Sequence, residues 1–241
     1  MEFSYDAYTN MLMLLHENEY KFRLYNDYKS HEKCVILRHD VDFSIEKALR
    51  IAELDAKNNA KSTFFVLLST DFYNVSSRKN TKLIREMISL GHDIGLHFDE
   101  QKYRDCVHDI SQSVMTELHI LSNVLDYQIT TVSMHRPSEA FLAQNIHFDG
   151  ALNVYSDRFF KKFKYVSDSR CRWHENVIDL IKGNKYSHLH ILTHPFWYNK
   201  TAMQLSDICK SFLFSAVNER FTQMEENIRD FHEILERSDL N

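Results

Sequence analysis

Short apolar runs and stretches of helically spaced apolar residues alternate along this chain. The run Cys34–Leu37 is rich in β-formers and ends in the polar cluster Arg38-His39-Asp40-Val41-Asp42, the pattern of a buried strand that delivers polar groups at its C-terminal end. Ser44 stands where an N-cap belongs, and Ile45, Ala48, Leu49 and Ala52 form the apolar stripe of a helix after it. The alternation recurs: a strand over Ser62–Leu68, a helix over Asn80–Leu90 closed by Gly91, a strand over Asp93–Phe98, and a long helix from about Tyr103 to Asp126. Further strands are predicted at Ile129–Met134, Ala151–Tyr155, Lys164–Val166 and Leu189–Thr193. A helix over Tyr5–Asn18 opens the chain, placed to cap the barrel, and a helical tail from about Met203 to Arg237 closes it. Strands that alternate with helices imply a parallel sheet with helices outside. Seven strands point to a distorted or incomplete parallel (β/α) barrel more than to an open sheet.

Composition narrows the picture. The 241 residues fit one barrel domain, with a motif-bearing core over about 33–198 and helical extensions at either end. A net charge of −5 and the lack of a Lys/Arg block argue against nucleic acid as a partner. The four cysteines, Cys34, Cys106, Cys171 and Cys209, form no close pair and read as reduced, mostly buried thiols. Met1–Tyr8 has neither the basic nor the apolar region of a signal peptide, and no run approaches a membrane span; the expectation is a cytoplasmic protein.

In a parallel barrel the chemistry gathers at the C-terminal ends of the strands. Here those ends are polar: His39, Asp40 and Asp42 after the first run, His97 and Asp99 after another, then His135 and Arg136, and finally His194. Asp40 and Asp42 are two apart, so both side chains point to one face while His39 and Val41 point to the other. Two carboxylates on one face repel unless a cation separates them, so the pair implies a metal, an arginine, or both.

These motifs resemble the NodB-homology polysaccharide deacetylases, carbohydrate esterase family four, over about Val35 to Tyr198 and in the family's order. Arg38-His39-Asp40-Val41-Asp42 is similar to the first motif, which implies Asp40 as catalytic base and Asp42 as metal ligand. Ser62-Thr63-Phe64-Phe65-Val66 resembles the strand that follows it, and Gly91–His97 the stretch whose last His binds metal. His135-Arg136-Pro137-Ser138 resembles the third motif, which implies that Arg136 orients the base. Leu192-Thr193-His194 resembles the motif of the general acid, and Asp168 and Trp173 correspond loosely to the fourth motif. The His-Arg-Pro-Ser and Leu-His-Phe-Asp variants are similar to a branch of short bacterial proteins, some WbmS-like, associated with surface polysaccharide synthesis.

One departure matters. The family's second metal His falls at Gln101, a weak neutral ligand, so the third ligand comes from elsewhere, with His135 the first candidate and Asp99 the second, or the metal is lost. The resemblance implies one divalent cofactor, zinc by the chemistry of the donors. It also implies removal of an N-acetyl group from an amino sugar in a surface polysaccharide or its precursor. Trp173 and the run Phe196-Trp197-Tyr198 add aromatic surface suited either to stacking on a sugar or to core packing. A sugar-binding module without activity, or an O-acetyl esterase on the same site, are the rival readings.

Overall fold

The computed structural model describes residues 1–103 and 109–240 and divides the chain into two compact units, Met1–Thr201 and Ala202–Asn241. The break falls after the last motif.

The first unit is built on strands β1 (Lys21–Phe22), β2 (Cys34–Val41), β3 (Ser62–Leu67), β4 (Asp93–Asp99), β5 (Thr131–His135), β6 (Leu152–Asn153), β7 (Lys164–Ser167) and β8 (His188–Thr193). Their order is β6-β5-β4-β3-β2-β8-β7, every pairing is parallel, and β1 adds to β2 off this path. That order is a ring cut once, between β6 and β7: seven parallel strands curl into an incomplete barrel, as the strand and helix alternation predicts. The two-residue β1 has no periodicity to announce it in the sequence.

Helices α1 (Tyr5–Glu17), α2 (Ile45–Lys57), α3 (Arg78–Ser89), α4 (Ile110–Leu125), α5 (Glu139–Leu142), α6 (Asp157–Phe160) and α7 (Val177–Lys182) complete the unit. The expected helix over Tyr103–Asp126 is shorter: Tyr103 ends a 3-10 turn, residues 104–108, with Cys106, lie outside the described residues, and α4 begins at Ile110. Ser44 caps α2 by accepting the Lys47 N–H, a contact worth about 1 kcal/mol. Helix α1 does not cap the barrel. It packs beside α2 and α7, and buries Tyr8, Met11, Leu12 and Leu15 in the outer layer.

Strand alternation sorts β2. Val35, Leu37, His39 and Val41 face the helices, whereas Cys34, Ile36, Arg38 and Asp40 face the barrel interior. On the outer side His39 is fully buried between Thr193 Oγ1 (2.6 Å) and Asp55 of α2 (3.0 Å), and Asp55 also accepts from Tyr8 and Ser62. Every buried polar group of this network finds a partner, so His39 ties helices to sheet and is not part of the rim. Inside, the floor is apolar, with Tyr25, Cys34, Ile36, Phe65, Val154, Phe159 and Phe163 in one cluster. Gly95 makes room for it: a Cβ there would stand 2.3 Å from the Phe65 ring and 2.7 Å from Thr131 Oγ1.

The second unit holds α8 (Leu205–Asn227), in which only Ile208 and Phe221 are buried. The expected helical tail to Arg237 stops short. Ile228 is extended, Asp230 takes a left-handed conformation, and two 3-10 turns follow, with Phe231 stacked edge-on against Phe221. Of the described cysteines only Cys34 is buried; Cys171 is half-buried and Cys209 exposed, contrary to the expectation of mostly buried thiols. No helix among the described residues is long and apolar enough to cross a membrane.

Candidate active site

The interior face of β2 climbs from Ile36 through Arg38 and Asp40 to Asp42, just past the strand end. Arg38 is wholly buried, which is tolerable only with its charge paired. It meets Asp40 in a two-pronged ion pair, Nε to Oδ1 and Nη2 to Oδ2, both 2.8 Å. The same Nη2 donates to Ser133 Oγ of β5 and, at 3.2 Å, to Tyr155, whose ring also lies 4.8 Å from the guanidinium. Burial alone would raise the Asp40 carboxyl; the Arg38 charge and, after it, His97 hold it below its ordinary value. Asp40 is therefore an ionised carboxylate in a site where it is only 4% exposed.

Above it stand Asp42, His97 and His135. His97 Nε2 is 3.3 Å and His135 Nδ1 3.4 Å from Asp42 Oδ1, and the two ring nitrogens are 3.2 Å apart. Ligands held 2.0–2.1 Å from one zinc ion at tetrahedral angles are themselves roughly 3.3–3.4 Å apart. The three atoms thus have the edge lengths of one face of such a site. The donor set fits as well: one carboxylate and two imidazoles, with Asp42 Oδ1 buried and lacking a hydrogen-bond partner. Ser133 completes the support. Its Oγ lies 3.2 Å from His97 Nδ1 and accepts from Arg38. If it also accepts the Nδ1 proton, that tautomer leaves the Nε2 lone pair for a cation.

His194 faces the triad from the end of β8, its Nε2 4.0 Å from Asp42 Oδ2. Its Nδ1 is 2.6 Å from Asp168 Oδ1, and its backbone N–H donates to both oxygens of the same carboxylate. Asp168 is fully buried and also accepts from Tyr198 at 3.1 Å. Burial would lower the His194 imidazole, but the Asp168 charge and hydrogen bond, with help from Asp42 and Asp40, push it up to about 9. Burial raises Asp168 too, so the pair keeps its proton.

One expected role is corrected by the geometry. Arg136 does not reach Asp40. Thr131, Ser133 and His135 share the interior face of β5, so the next residue points out of the barrel, and its left-handed backbone (φ 49°) carries the chain away. Its exposed guanidinium binds Asp99 at 2.6 Å. Asp99, the second candidate for third ligand, is taken by that pair and by the Gln101 N–H, while His135 joins Asp42 and His97. Trp173, expected against the sugar, is half-buried, and no hydrogen bond or ring pairing joins it to the site among the described residues. Trp197 stands beside His194 instead, with ring centres 6.0 Å apart. Arg38, not singled out by the motifs, is the partner of Asp40, and its position two residues earlier on one strand puts both on the same face.

No protein-family model and no curated protein matches the chain. Solved structures align with it at low identity. The CE4 family pseudoenzyme BA3943 of Bacillus anthracis is 13% identical over 78% of this chain and 63% of its own, with a TM-score of 0.45. The Streptococcus pyogenes deacetylase PplD, solved with acetate, is 17% identical over 78% of this chain and 80% of its own, with a TM-score of 0.44. Peptidoglycan deacetylase PdaC from Bacillus subtilis is 18% identical over 83% of this chain and 96% of its own, with a TM-score of 0.41. The chain spans a little under two thirds of the pseudoenzyme.

Proposed function

We propose that the protein is a metal-dependent deacetylase that removes the N-acetyl group from an amino sugar in a surface polysaccharide or its precursor. The observation that carries this reading is that an ionised carboxylate, Asp40 (3.6 Å from His97), and a protonated imidazole, His194 (4.0 Å from Asp42), both stand against a triad with the donors and spacing of a zinc site. The resemblance of five motifs in family order supports the choice of an acetamide as substrate.

Asp42, His97 and His135 would hold the ion, which supplies a Lewis acid that polarises the amide carbonyl. Asp40 takes a proton from the attacking water, and Arg38 keeps that carboxylate in one orientation and ionised beforehand. His194, charged through its pairing with Asp168, gives its proton to the nitrogen as the C–N bond breaks. That proton is needed because an amine is too basic to leave as an anion. Acetate and a free amino sugar are the products, and the acid and base return to their starting states when the His194 proton is replaced from Asp40.

The test is acetate release from a panel of N-acetylated sugars by protein analysed for metal. Zinc at about one per chain with release abolished in Asp40→Asn, whose metal content is unchanged, is the expected result. Release that survives Asp40→Asn, or protein that takes up no divalent ion, would overturn the reading.

A further inference from the structure

The segment that follows His194 is too short to satisfy its own backbone. It is a single 3-10 turn, Pro195–Trp197, in which the Trp197 N–H donates to the His194 carbonyl (3.1 Å) and the Tyr198 N–H to that of Pro195 (3.3 Å). So brief a helix leaves its last carbonyls without an N–H ahead of them, and they need a donor from elsewhere. Lys47 of α2 is that donor. Its Nζ meets the carbonyls of Phe196 (3.0 Å) and Tyr198 (3.1 Å) and Asn199 Oδ1 (2.7 Å), one acceptor for each of its three protons. Asn199 is held from its other side as well, accepting the Tyr5 N–H (2.8 Å) and donating to the Phe3 carbonyl (3.3 Å).

The lysine stands where a cation is disfavoured. It lies in the first turn of α2, three residues after the Ser44 cap, at the positive end of the helix dipole. It is half-buried and, among the described residues, has no ion pair with a carboxylate. Burial holds its ammonium down at about 8, so the charge costs free energy at this position. What that charge secures is the connection between two strand ends. Lys47 comes five residues after Asp42, on the helix that β2 feeds, and the turn it grips begins at His194.

Asp168 does something different. It holds the imidazole Nδ1 and the backbone N–H of His194 itself, and so keeps the proton on the ring. Where the residue stands relative to Asp42, now 4.0 Å from its Nε2, depends on the turn beyond it. We propose that Lys47 is a positioning residue for the proton donor: by clamping the turn after His194 onto the start of α2, it fixes the reach from that imidazole to the metal triad. The proposal rests on the deacetylase reading for the role of His194, whereas the clamp itself does not.

Substrates that differ in their need for a proton test it. An amine must be protonated to depart, but 4-nitrophenolate leaves as the anion, so only the amide depends on the acid. With the full zinc-loaded chain, Lys47→Met should lower turnover of the trimer of N-acetylglucosamine about tenfold to a hundredfold more than turnover of 4-nitrophenyl acetate. Lys47→Arg, which keeps the charge and the donors, should regain most of the difference. A general loss of structure lowers both substrates alike, so equal falls, or an amide turnover equal to wild type, overturn the positioning role. Hydrogen exchange tests the clamp without turnover. The Trp197 and Tyr198 amides should exchange roughly tenfold faster in Lys47→Met and recover in Lys47→Arg, with the β3 amides as in wild type. Unchanged protection of the turn overturns the clamp. Wild type that releases acetate from neither compound removes the deacetylase reading instead, and the exchange result then decides the clamp alone.

Discussion

Asp168→Asn isolates what makes His194 an acid. The wild-type imidazole is held up at about 9 against an ordinary value of 6.5, and Asp168 is the largest upward influence on a group whose burial alone would lower it. Without that charge the value should fall to near 6.5 or below, a change of about 2.5 units or roughly 3 kcal/mol. In metal-free protein at pH 8 the protonated share would drop from about nine tenths to about 3%, which the imidazole signal in an NMR titration reads directly. Stability should follow with a definite sign. A group whose pKa is raised on folding stabilises fully below its unfolded value, and the gain is lost as pH rises through the folded value. The variant should therefore be weaker than wild type below pH 6.5 and approach it above about 9, as urea midpoints at pH 6 and pH 10 would show. Acetate release should lose its high-pH activity first. A His194 that still titrates near 9 in Asp168→Asn would refute the reasoning.

Arg38→Met leaves the Asp40 carboxylate buried and unpaired, which should cost about 3–5 kcal/mol in denaturant unfolding. Adding Asp40→Asn should recover part of that loss, and a single variant within 1 kcal/mol of wild type, roughly, would deny the pairing its weight. His135→Ala should lower zinc affinity strongly, with turnover partly restored by excess zinc, while Asp99→Ala should leave zinc stoichiometry intact; the reverse pattern would move the third ligand to Asp99. Gly95→Ala drives a Cβ into the Phe65 ring and Thr131 and should destabilise by about 1–3 kcal/mol or more; a thermal midpoint equal to wild type would contradict the tight packing of the barrel floor.

The sheet was legible because its strands are buried on both faces, and such strands read as continuous apolar runs wherever they are long enough. The five longest strands of the ring were visible on that ground, and the short β6 and β7 fall at the stretches expected for them, while nothing around Lys21–Phe22 shows any period. The site was legible where its chemistry sits on strand ends, but the partner of Asp40 was assigned by resemblance, to Arg136, when strand parity pointed to Arg38. Alternation puts residues 38, 40 and 42 on one face, and 131, 133 and 135 on the facing one, with no reference to any relative. Applied consistently, it selects Arg38 over Arg136 and admits His135 beside His97 in one step. The aromatic rings obey no such rule. Phe43, Phe72 and Trp197 come from three turns beyond three strands, and only the closure of the barrel makes them neighbours. Strand periodicity therefore reports Asp40, Asp42, His97 and His135, which lie on or just past the sheet, whereas the rings at the rim lie on loops whose directions the sequence pattern does not encode.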